Sequence, residues 1–355
     1  MVRVGVIGAR RQSQGIGEHV VRHLTGLGAE VCAIAGTRPE TVEAAQANLL
    51  DRHGIQTRGY ADISEMLKSE SLDAVAICSP DAFHREHLSL ALEHRLHVLC
   101  EKPLVFEPGR DPVADARPLV EGFAAAGKVL MVNEQWPFTL PAFQDLHPEA
   151  MPFERPLKRL SMLLCPSGIG AGMIPAALPH LLSMLLTLAP GAGAASDIRV
   201  QPLDGSMETT SGVRVEFNYV RSCGTTEVSA VFRQVPEQPR PAAYAINGYA
   251  ASRIIEMPSY QMYLEASDEA QWLNDQSGKS FEHARGKTKV LLPDPLVLLL
   301  KEFLRRIENA RRPEEAGPMI LDSLKILSAV YQSALEVAGA EARPMLSSAL
   351  ASARG

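Results

Sequence analysis

Short apolar runs alternate with helical patterns along the first 130 residues, and this alternation constrains the fold more than any other feature of the chain. The runs predict strands at Val2–Ile7, Glu30–Ala35, Ala74–Cys78, His97–Cys100 and Val129–Val132, and the patterns between them predict helices at Glu18–Leu27, Glu40–Leu50, Ile63–Lys68, Ala82–His94 and Val113–Ala125. Strands that are apolar on both faces and joined through helices form a parallel sheet covered by helices. The sequence therefore predicts an α/β domain over residues 1–130, with a doubly wound parallel sheet.

From residue 131 onward, strand patterns follow one another directly and are separated by turn residues. The predicted strands are Leu157–Leu164, Ile198–Leu203, Val213–Val220, Thr226–Val235, Tyr244–Ile255, Tyr260–Glu265 and Lys287–Leu292. The predicted helices are Pro179–Leu188, Pro295–Ala310 and Met319–Ala338. Because Val213–Tyr219 alternates between apolar and polar residues, its strand has one buried and one polar face. Residues 131–355 are expected to form an α+β domain with an open, mainly antiparallel sheet, and the last two helices pack on that sheet or return to the first domain.

The charge balance and the cysteines exclude several classes of protein. The chain has 35 Lys and Arg against 41 Asp and Glu, and this net charge of −6 argues against nucleic-acid binding, which needs a basic surface. Five cysteines without C-x-x-C spacing indicate a reducing compartment, and no cluster of His, Cys and carboxylates has metal-ligand spacing. A strand begins at Val2, which leaves no signal peptide, and no apolar run approaches the ~18 residues of a membrane span. We expect a cytoplasmic protein without metal or membrane partners.

A glycine-containing loop joins the first predicted strand to the first helix. Backbone N–H groups at such a helix N-terminus hold the pyrophosphate of a dinucleotide, provided that the turn carries few side chains. The spacing here is not G-x-G-x-x-G, so an ordinary loop with turn glycines is the alternative, and the surrounding βαβ pattern favours the dinucleotide. The residues expected to contact it are Gly8, Arg10, Ser13, Gly15, Ile16 and Gly17.

The end of the second strand is where a dinucleotide-binding protein contacts the adenosine ribose. An NAD site places Asp or Glu there, whereas this strand runs into Thr37 and Arg38 without a carboxylate. Arg38 can pair with a 2′-phosphate, and Thr37 can hydrogen-bond to it. Thr37 with Glu40 also forms a capping-box pattern, and both roles can hold at once. The sequence favours NADP(H), with NAD(H) as the other possibility.

Two further segments are the most specific in the chain. In Ala74–His84 a strand ends in a Ser-Pro turn, and a histidine follows four residues after the proline. In His97–Leu104 a strand ends in Glu-Lys-Pro, with Lys102 at its centre. Together these segments resemble the glucose–fructose oxidoreductase / inositol dehydrogenase (Gfo/Idh/MocA) family, and the order of elements resembles that family along essentially the whole chain.

The resemblance implies an N-terminal Rossmann domain and a C-terminal domain whose open antiparallel sheet is usually used for oligomerisation. The residues that it places near the cofactor are Ser79, Pro80, His84, Glu101, Lys102 and Gln135. Those that it places near the substrate are Lys102, Trp136 and His180. For His84 the alternative is a half-exposed residue in a helix capped by Asp81, and for Trp136 it is a core position between domains.

Lys102 also has a chemical rationale that does not depend on the family. A hydride transfer that makes or consumes a carbonyl group needs a partner that moves a proton on the oxygen. A lysine at the carboxyl end of a parallel strand lies where ligands bind in such sheets, and burial lowers its pKa. Glu101 beside it can hold its position. The alternative is a solvated surface charge, which the preceding apolar strand and the following proline disfavour.

One segment departs from the family pattern. Many members carry a Gly-rich turn followed by Asp-x-x-x-His, where the histidine is an acid or base that the aspartate supports. Here His180 falls on the histidine position, Ala176 on the aspartate position, and Met184 where another aspartate is common. A histidine without its carboxylate has lower basicity and a less fixed tautomer. His180 is therefore either an assisting acid or base or a structural residue in an apolar helix.

The hypothesis that follows is an NAD(P)-dependent oxidoreductase that moves a hydride between nicotinamide and a carbonyl or hydroxyl carbon. Lys102 and His180 are its catalytic candidates, and the resemblance implies a sugar, a cyclitol or a related small molecule as substrate. The alternative is a nicotinamide-binding regulatory or interaction protein without catalysis, which Ala176 and Met184 favour. A weaker third possibility is an enzyme that retains its cofactor and cycles the hydride internally. A homo-oligomer, dimer or tetramer, is expected.

Overall fold

The computed structural model describes residues 1–9, 16–150, 156–274, 288–309 and 316–352. The chain divides into two compact units: the first is Met1–Gln135 with Asp294–Leu324, and the second is Trp136–Pro293 with Lys325–Gly355. The sequence places the boundary at residue 130 and groups all the later residues together. The helix that begins at Pro295 instead belongs to the first unit, since it packs against the first helix of the chain.

The secondary structure alternates in the first third of the chain and is dominated by strands in the middle. The strands are β1 (Arg3–Ile7), β2 (Glu30–Ala35), β3 (Arg58–Tyr60), β4 (Ala74–Ile77), β5 (His97–Cys100), β6 (Leu130–Val132), β7 (Arg159–Leu164), β8 (Gly193–Pro202), β9 (Gly212–Arg221), β10 (Gly224–Arg233), β11 (Ala242–Ile246), β12 (Tyr249–Glu256), β13 (Gln261–Ser267) and β14 (Lys289–Leu292). The helices are α1 (Gly17–Gly26), α2 (Pro39–His53), α3 (Ile63–Ser69), α4 (His84–Glu93), α5 (Pro112–Ala125), α6 (Leu140–Leu146), α7 (Met173–Leu188), α8 (Glu269–Asn274), α9 (Pro295–Glu308) and α10 (Ala316–Ser352).

The first unit contains a six-stranded sheet in the order β3-β2-β1-β4-β5-β6, and every strand pair in it is parallel. The central strands are buried on both faces, as β4 illustrates with four fully buried residues. The predicted doubly wound sheet is confirmed. Strand order reverses between β1 and β4, and the crevice at the carboxyl ends of those strands is where such folds bind ligands.

The second unit contains an eight-stranded sheet in the order β14-β13-β12-β11-β7-β10-β9-β8. All of its pairs are antiparallel except β7 with β10, so the predicted open, mainly antiparallel sheet is confirmed. The single strand predicted over Tyr244–Ile255 is wrong, because it is the hairpin of β11 and β12. Asn247 and Gly248 form its turn with φ of 51° and 92°, the left-handed conformations that an Asn-Gly hairpin turn requires.

The two faces of this second sheet pack against different elements. On one face Tyr244 contacts Trp136 and Phe143, from a short 3₁₀ turn and from α6, and α7 lies against β7 and β10. The opposite face carries Leu163, Val231, Ala243, Ala245 and Ala250, which pack around the buried Trp272 of α8. The core of this unit therefore lies on both sides of the sheet.

Helix α7 is the most apolar helix of the second unit. It begins at Met173, six residues before the predicted start at Pro179, because the Gly-rich turn ends at Gly172. Contrary to the expectation from sequence, Gly170–Leu188 is long and apolar enough to cross a membrane by length and composition, with a mean hydropathy of 1.6. In the structure 61% of that stretch is buried, which is equally typical of a core helix, so composition alone is weak evidence for a membrane span.

Candidate functional site

The turn between β1 and α1 is built by two glycines. Gly8 has a φ of 85°, and a Cβ there would meet the backbone oxygen of Cys78 at 2.8 Å. At Gly17 a Cβ would stand 2.2 Å from the backbone oxygen of Gly8 and 2.7 Å from the Cα of Ala9. The helix thus approaches the strand as closely as the backbone allows, the geometry that places a dinucleotide pyrophosphate at a helix N-terminus.

The described part of this turn fits a dinucleotide. Ile16 is the N-cap residue of α1, and its side chain makes no capping hydrogen bond. The turn therefore offers backbone N–H groups at the start of α1, as a pyrophosphate requires. The other predicted contacts, Arg10, Ser13 and Gly15, lie outside the described residues.

The residues after β2 are exposed at the position where a ribose-binding carboxylate is expected. Thr37 and Arg38 both lie on the surface, and no acidic residue follows the strand before Glu40. The predicted capping box is wrong, because α2 begins at Pro39 with Arg38 as its N-cap residue and without a side-chain cap. The side chains of Thr37 and Arg38 therefore do not cap α2, and they are available to a 2′-phosphate.

Lys102 and Glu101 follow β5 at the carboxyl edge of the parallel sheet. Burial lowers the pKa of the Lys102 ammonium, and the charge of Glu101 opposes that effect. Burial raises the pKa of the Glu101 carboxyl, against the opposing charge of Lys102. Lys102 is thus a poorly solvated amine close to a carboxylate, with a pKa below that of a solvated lysine.

A chain of two amides holds Glu101. Gln135 donates from Nε2 to Oδ1 of Asn133 at 3.1 Å, and Asn133 donates from Nδ2 to Oε1 of Glu101. The first bond fixes the orientation of the Asn133 amide, so its NH₂ group faces the carboxylate. Gln135, which the sequence predicts to contact the cofactor, therefore supports Glu101 through Asn133.

His84 connects the Ser-Pro segment to the Glu-Lys-Pro segment through hydrogen bonds. It is 1% exposed, so the half-exposed residue considered from sequence is wrong. Its Nδ1 lies 2.9 Å from the Pro103 carbonyl oxygen, and its Nε2 lies 2.9 Å from that of Ser79. Both partners are carbonyl oxygens, which accept hydrogen bonds. The ring thereby fixes the backbone that follows Lys102 relative to the Ser79-Pro80 turn.

Ser79 has a second contact in the same region. Its hydroxyl lies 2.9 Å from Nδ1 of His87, one turn along α4 from His84. Burial lowers the pKa of His87 to about 4, and the nearby His84 adds to that effect. His87 is therefore neutral at ordinary pH and orients the serine hydroxyl.

Glu134 is a half-buried acid after the end of β6 that the sequence analysis does not select as a site residue. Burial raises its pKa from 4.5 to about 8, and its backbone N–H donates to the carbonyl of Val132 at 2.8 Å. The register of β5 and β6 pairs Cys100 with Val132, so Glu134 and Lys102 each lie two residues beyond their strands. Glu134 therefore follows β6 at the edge of the sheet where ligands bind.

Replacing Glu134 with glutamine is expected to stabilise the protein at high pH. Between pH 4.5 and 8 the unfolded chain loses this proton and the folded protein keeps it, so folded stability falls as pH rises through that window. Glutamine removes that loss, so we expect the free energy of unfolding to rise by roughly 3 kcal/mol at pH 9. This is less than the ~5 kcal/mol that corresponds to the whole pKa shift, because the side chain is partly exposed.

Urea unfolding at pH 5 and pH 9 checks this prediction, with the exposed Glu93→Gln on α4 as the control that gains nothing. An equal effect of Glu134→Gln at both pH values would show that the carboxyl is not held in its protonated form.

Trp136 and His180 come together in the second unit. Their rings meet edge to face, with centroids 6.4 Å apart, and Trp136 also packs edge to face on Tyr244 at 5.8 Å. Trp136 is 6% exposed, and the Tyr244 hydroxyl lies 2.9 Å from the Thr139 hydroxyl. An indole therefore fixes one side of the His180 ring.

The environment of His180 on its own helix is apolar. Ala176, one turn before it, is exposed and offers no carboxylate, and Met184, one turn after it, is fully buried. Any support for the imidazole on α7 therefore comes from packing rather than from a neighbouring acid. Among the described residues, no group of three or more His, Cys, Asp or Glu could hold a metal ion.

Comparison with known proteins finds a family match within the first unit. Residues 2–134 match the model of an oxidoreductase family with an NAD-binding Rossmann fold, GFO_IDH_MocA. Over these residues the chain is similar to the GFO/IDH/MocA oxidoreductase family. The resemblance carried by the Ser-Pro and Glu-Lys-Pro segments is thereby confirmed.

The curated relatives match only part of this chain. D-glucoside 3-dehydrogenase of Escherichia coli K12 is 32% identical over 139 residues, 39% of this chain and 36% of the relative. An NADP(+)-dependent scyllo-inositol 2-dehydrogenase of Bacillus subtilis 168 is 37% identical over 87 residues, 24% of this chain and 25% of the relative. The chain thus matches between a quarter and about a third of the length of these relatives.

Solved structures share the fold over nearly the full length. A probable dehydrogenase from Thermotoga maritima has a TM-score of 0.68 at 18% identity, covering 94% of this chain and 97% of that one. A 3-ketoreductase from Actinomadura kijaniata in complex with NADP has a TM-score of 0.66 at 17% identity, with the same coverage. At these identities the likeness establishes the fold of both units.

The structure thus groups the predicted residues by unit. In the first unit it connects Ser79, His84, Glu101, Lys102 and Gln135 through hydrogen bonds and chain adjacency, and in the second it pairs Trp136 with His180. Sequence reasoning did not select Asn133 or Glu134 as site residues. The signal was present, since polar residues directly after a buried parallel strand lie at the ligand-binding edge.

Proposed function

We propose that this protein is an NAD(P)-dependent oxidoreductase that transfers a hydride between nicotinamide and a carbonyl or hydroxyl carbon of a sugar, a cyclitol or a related small molecule. The observation that carries the proposal is a lysine of lowered pKa at the carboxyl edge of a doubly wound sheet whose first turn is built by Gly8 and Gly17. The curated relatives, a glucoside and an inositol dehydrogenase, support the substrate class.

In the proposed reaction, some residues bind the cofactor and others move a proton. The first turn, with Gly8 and Gly17, would hold the pyrophosphate, and the nicotinamide would supply or accept the hydride. Lys102 moves the proton on the substrate oxygen, giving it up when a carbonyl is reduced and taking it when an alcohol is oxidised. Glu101 keeps the Lys102 amine in position, and His180 is proposed as an assisting acid or base.

The same proposal includes a preference for NADP(H) over NAD(H). Arg38 is exposed directly after β2 and no carboxylate takes its place, which suits a 2′-phosphate. We expect Arg38→Ala to raise the Kd for NADPH by about 10- to 100-fold, the value of a charge-assisted hydrogen bond, and to leave NADH binding nearly unchanged.

Titration of nicotinamide fluorescence measures both constants, and the exposed Arg117→Ala on α5 serves as the control. An Arg38→Ala protein that binds NADPH as tightly as the wild type would assign the 2′-phosphate to other residues.

Activity is tested with a panel of polyols, sugars and carbonyl compounds, following the absorbance of NADPH. A non-catalytic, nicotinamide-binding protein is the second candidate, and the observation that favours it is Ala176 on the exposed side of α7 before His180. Saturable cofactor binding without turnover of any compound would support that candidate. Substrate-dependent formation or consumption of NADPH supports the enzyme.

We also propose that the protein acts as a homo-oligomer, dimer or tetramer, in the cytoplasm. What supports self-association is the open eight-stranded sheet, whose edge strands β8 and β14 each pair on one side only within the described part of the chain. The cytoplasmic location rests on the separate, unpaired cysteines, all five of which are free thiols in the structure.

A further inference from the structure

Arg253 lies on the face of the second sheet that carries the Trp136–His180 pair. It belongs to β12 and pairs with Ala242 of β11, just as Ala251 pairs with Tyr244. Directly paired residues of antiparallel strands point to the same face, so Arg253 shares a face with Tyr244. Its guanidinium carbon lies over the Trp136 ring, 5.3 Å from the ring centroid.

The guanidinium of Arg253 has few partners for a half-buried cation. One Nη2 hydrogen is donated to the carbonyl oxygen of Arg240 at 3.1 Å, and the buried Nε has no hydrogen-bond partner. Among the described ranges of the chain, no carboxylate lies within ion-pair distance of Arg253. The groups whose charges affect it are Tyr260 and Cys165, and burial lowers its pKa.

This arrangement is unfavourable without an anion. A partly desolvated charge without a countercharge loses hydration that nothing replaces. The cation–π contact with the Trp136 indole compensates for only part of that loss. The planar guanidinium therefore keeps donors that match a carboxylate or a phosphate in bidentate geometry.

The surroundings of Arg253 are basic as well. Arg233, at the end of β10, and Arg240, before β11, act together with Arg253 on the thiol of Cys165, which directly follows β7. The register brings these positions to one end of the sheet, because Leu164 pairs with both Ala242 and Phe232. Three guanidinium groups thus surround one strand end and favour a negatively charged ligand there.

We propose that Arg253 binds an oxyanion of the substrate, a carboxylate or a phosphate, on the face of the sheet that also carries Trp136 and His180. The inference rests on the proposed function and narrows it to sugars or cyclitols that carry an acidic group. Trp136 contacts both side chains, with its ring centroid 5.3 Å from the Arg253 guanidinium carbon and 6.4 Å from the His180 ring centroid.

The test compares three probes that share one ring: D-glucose, D-glucuronate and D-glucose 6-phosphate. Binding to the full chain is measured by calorimetry in the presence of NADP⁺. We expect the wild type to bind one or both of the acidic probes at least tenfold more tightly than D-glucose. Preference for the glucuronate or for the phosphate identifies which oxyanion the site takes.

Arg253→Gln is expected to remove this preference, at least tenfold in Kd, while D-glucose and NADPH bind as before. Arg253→Lys keeps the charge and is expected to retain part of the preference. If Arg253 served only to pack on Trp136, the Gln and Lys variants would show the same preference. Arg221→Gln is the matched control, because Arg221 also lies over an aromatic ring, Tyr219 at 6.0 Å, on β9.

Three results would overturn the inference: equal binding of all three probes by the wild type, no binding of the acidic ones, or an acidic preference that survives Arg253→Gln. Failure of the oxidoreductase proposal itself has a different signature: the wild-type protein would then either not bind NADPH, or bind it without turning over any compound of the activity panel.

Discussion

Replacing Lys102 with methionine is expected to lower kcat by about 10³-fold, the share that a positioned general acid or base contributes to such reactions. Methionine is similar in length and apolar, so it suits the partly buried position and removes only the amine. Because the hydrogen bonds of Glu101 to Asn133 and of His84 to Pro103 do not involve the amine, the surrounding backbone is expected to persist. Cofactor affinity should change by less than about threefold.

The pH profile separates proton transfer from mere positioning. Because burial lowers the pKa of Lys102, alcohol oxidation by the wild type is expected to rise with pH around a value below that of a solvated lysine, as the amine loses its proton. Lys102→Met should lose this rise. The exposed Lys68→Met on α3 is the control and should match the wild type. Undiminished turnover of Lys102→Met, or a loss explained by cofactor affinity alone, would contradict the assigned role.

Replacing Gly17 with alanine is expected to weaken NADPH binding by about 100-fold or more. The added methyl would stand 2.2 Å from the Gly8 carbonyl oxygen, and backbone on both sides leaves it no flexible neighbour to displace. The start of α1 must move away from β1, which misplaces the N–H groups that face the pyrophosphate. Overpacking of this kind also costs about 1–3 kcal/mol of stability.

The same helix offers a matched control. Gly26 ends α1, has no atom within 4 Å of the position a Cβ would take, and is expected to tolerate alanine with unchanged binding. Fluorescence titration gives the affinities, and urea unfolding shows that Gly17→Ala is folded under the conditions used. Tight NADPH binding by a folded Gly17→Ala would mean that this close approach does not form part of the cofactor site.

The strands of the first unit could be predicted because each is a nearly pure apolar run. Glu30–Ala35 and His97–Cys100 are found with the bounds that the structure has. β3, Arg58–Tyr60, was missed since it is a short, mostly exposed edge strand without an apolar pattern. The β11–β12 hairpin was merged into one strand because its Asn247-Gly248 turn interrupts the apolar residues only briefly.

The sequence predicts those residues of the candidate site that belong to a local motif. Lys102 and Ser79 belong to recognisable segments, and their place at the carboxyl edge follows from the strands before them. The burial of His84 between two backbone carbonyls depends on the turn after Lys102, which lies nineteen positions further along the chain. Arg253 lies within an ordinary strand pattern, and only the pairing of β12 with β11 places it on the face of Trp136.

Titration of the wild-type protein with NADPH and NADH, followed by nicotinamide fluorescence, tests the central claim most directly. The account predicts saturable binding of both nucleotides with one site per chain, and tighter binding of NADPH. Absence of binding by either nucleotide would contradict the account, because the turn of Gly8 and Gly17 would then be only a connection between β1 and α1, and Lys102 would have no hydride transfer to serve.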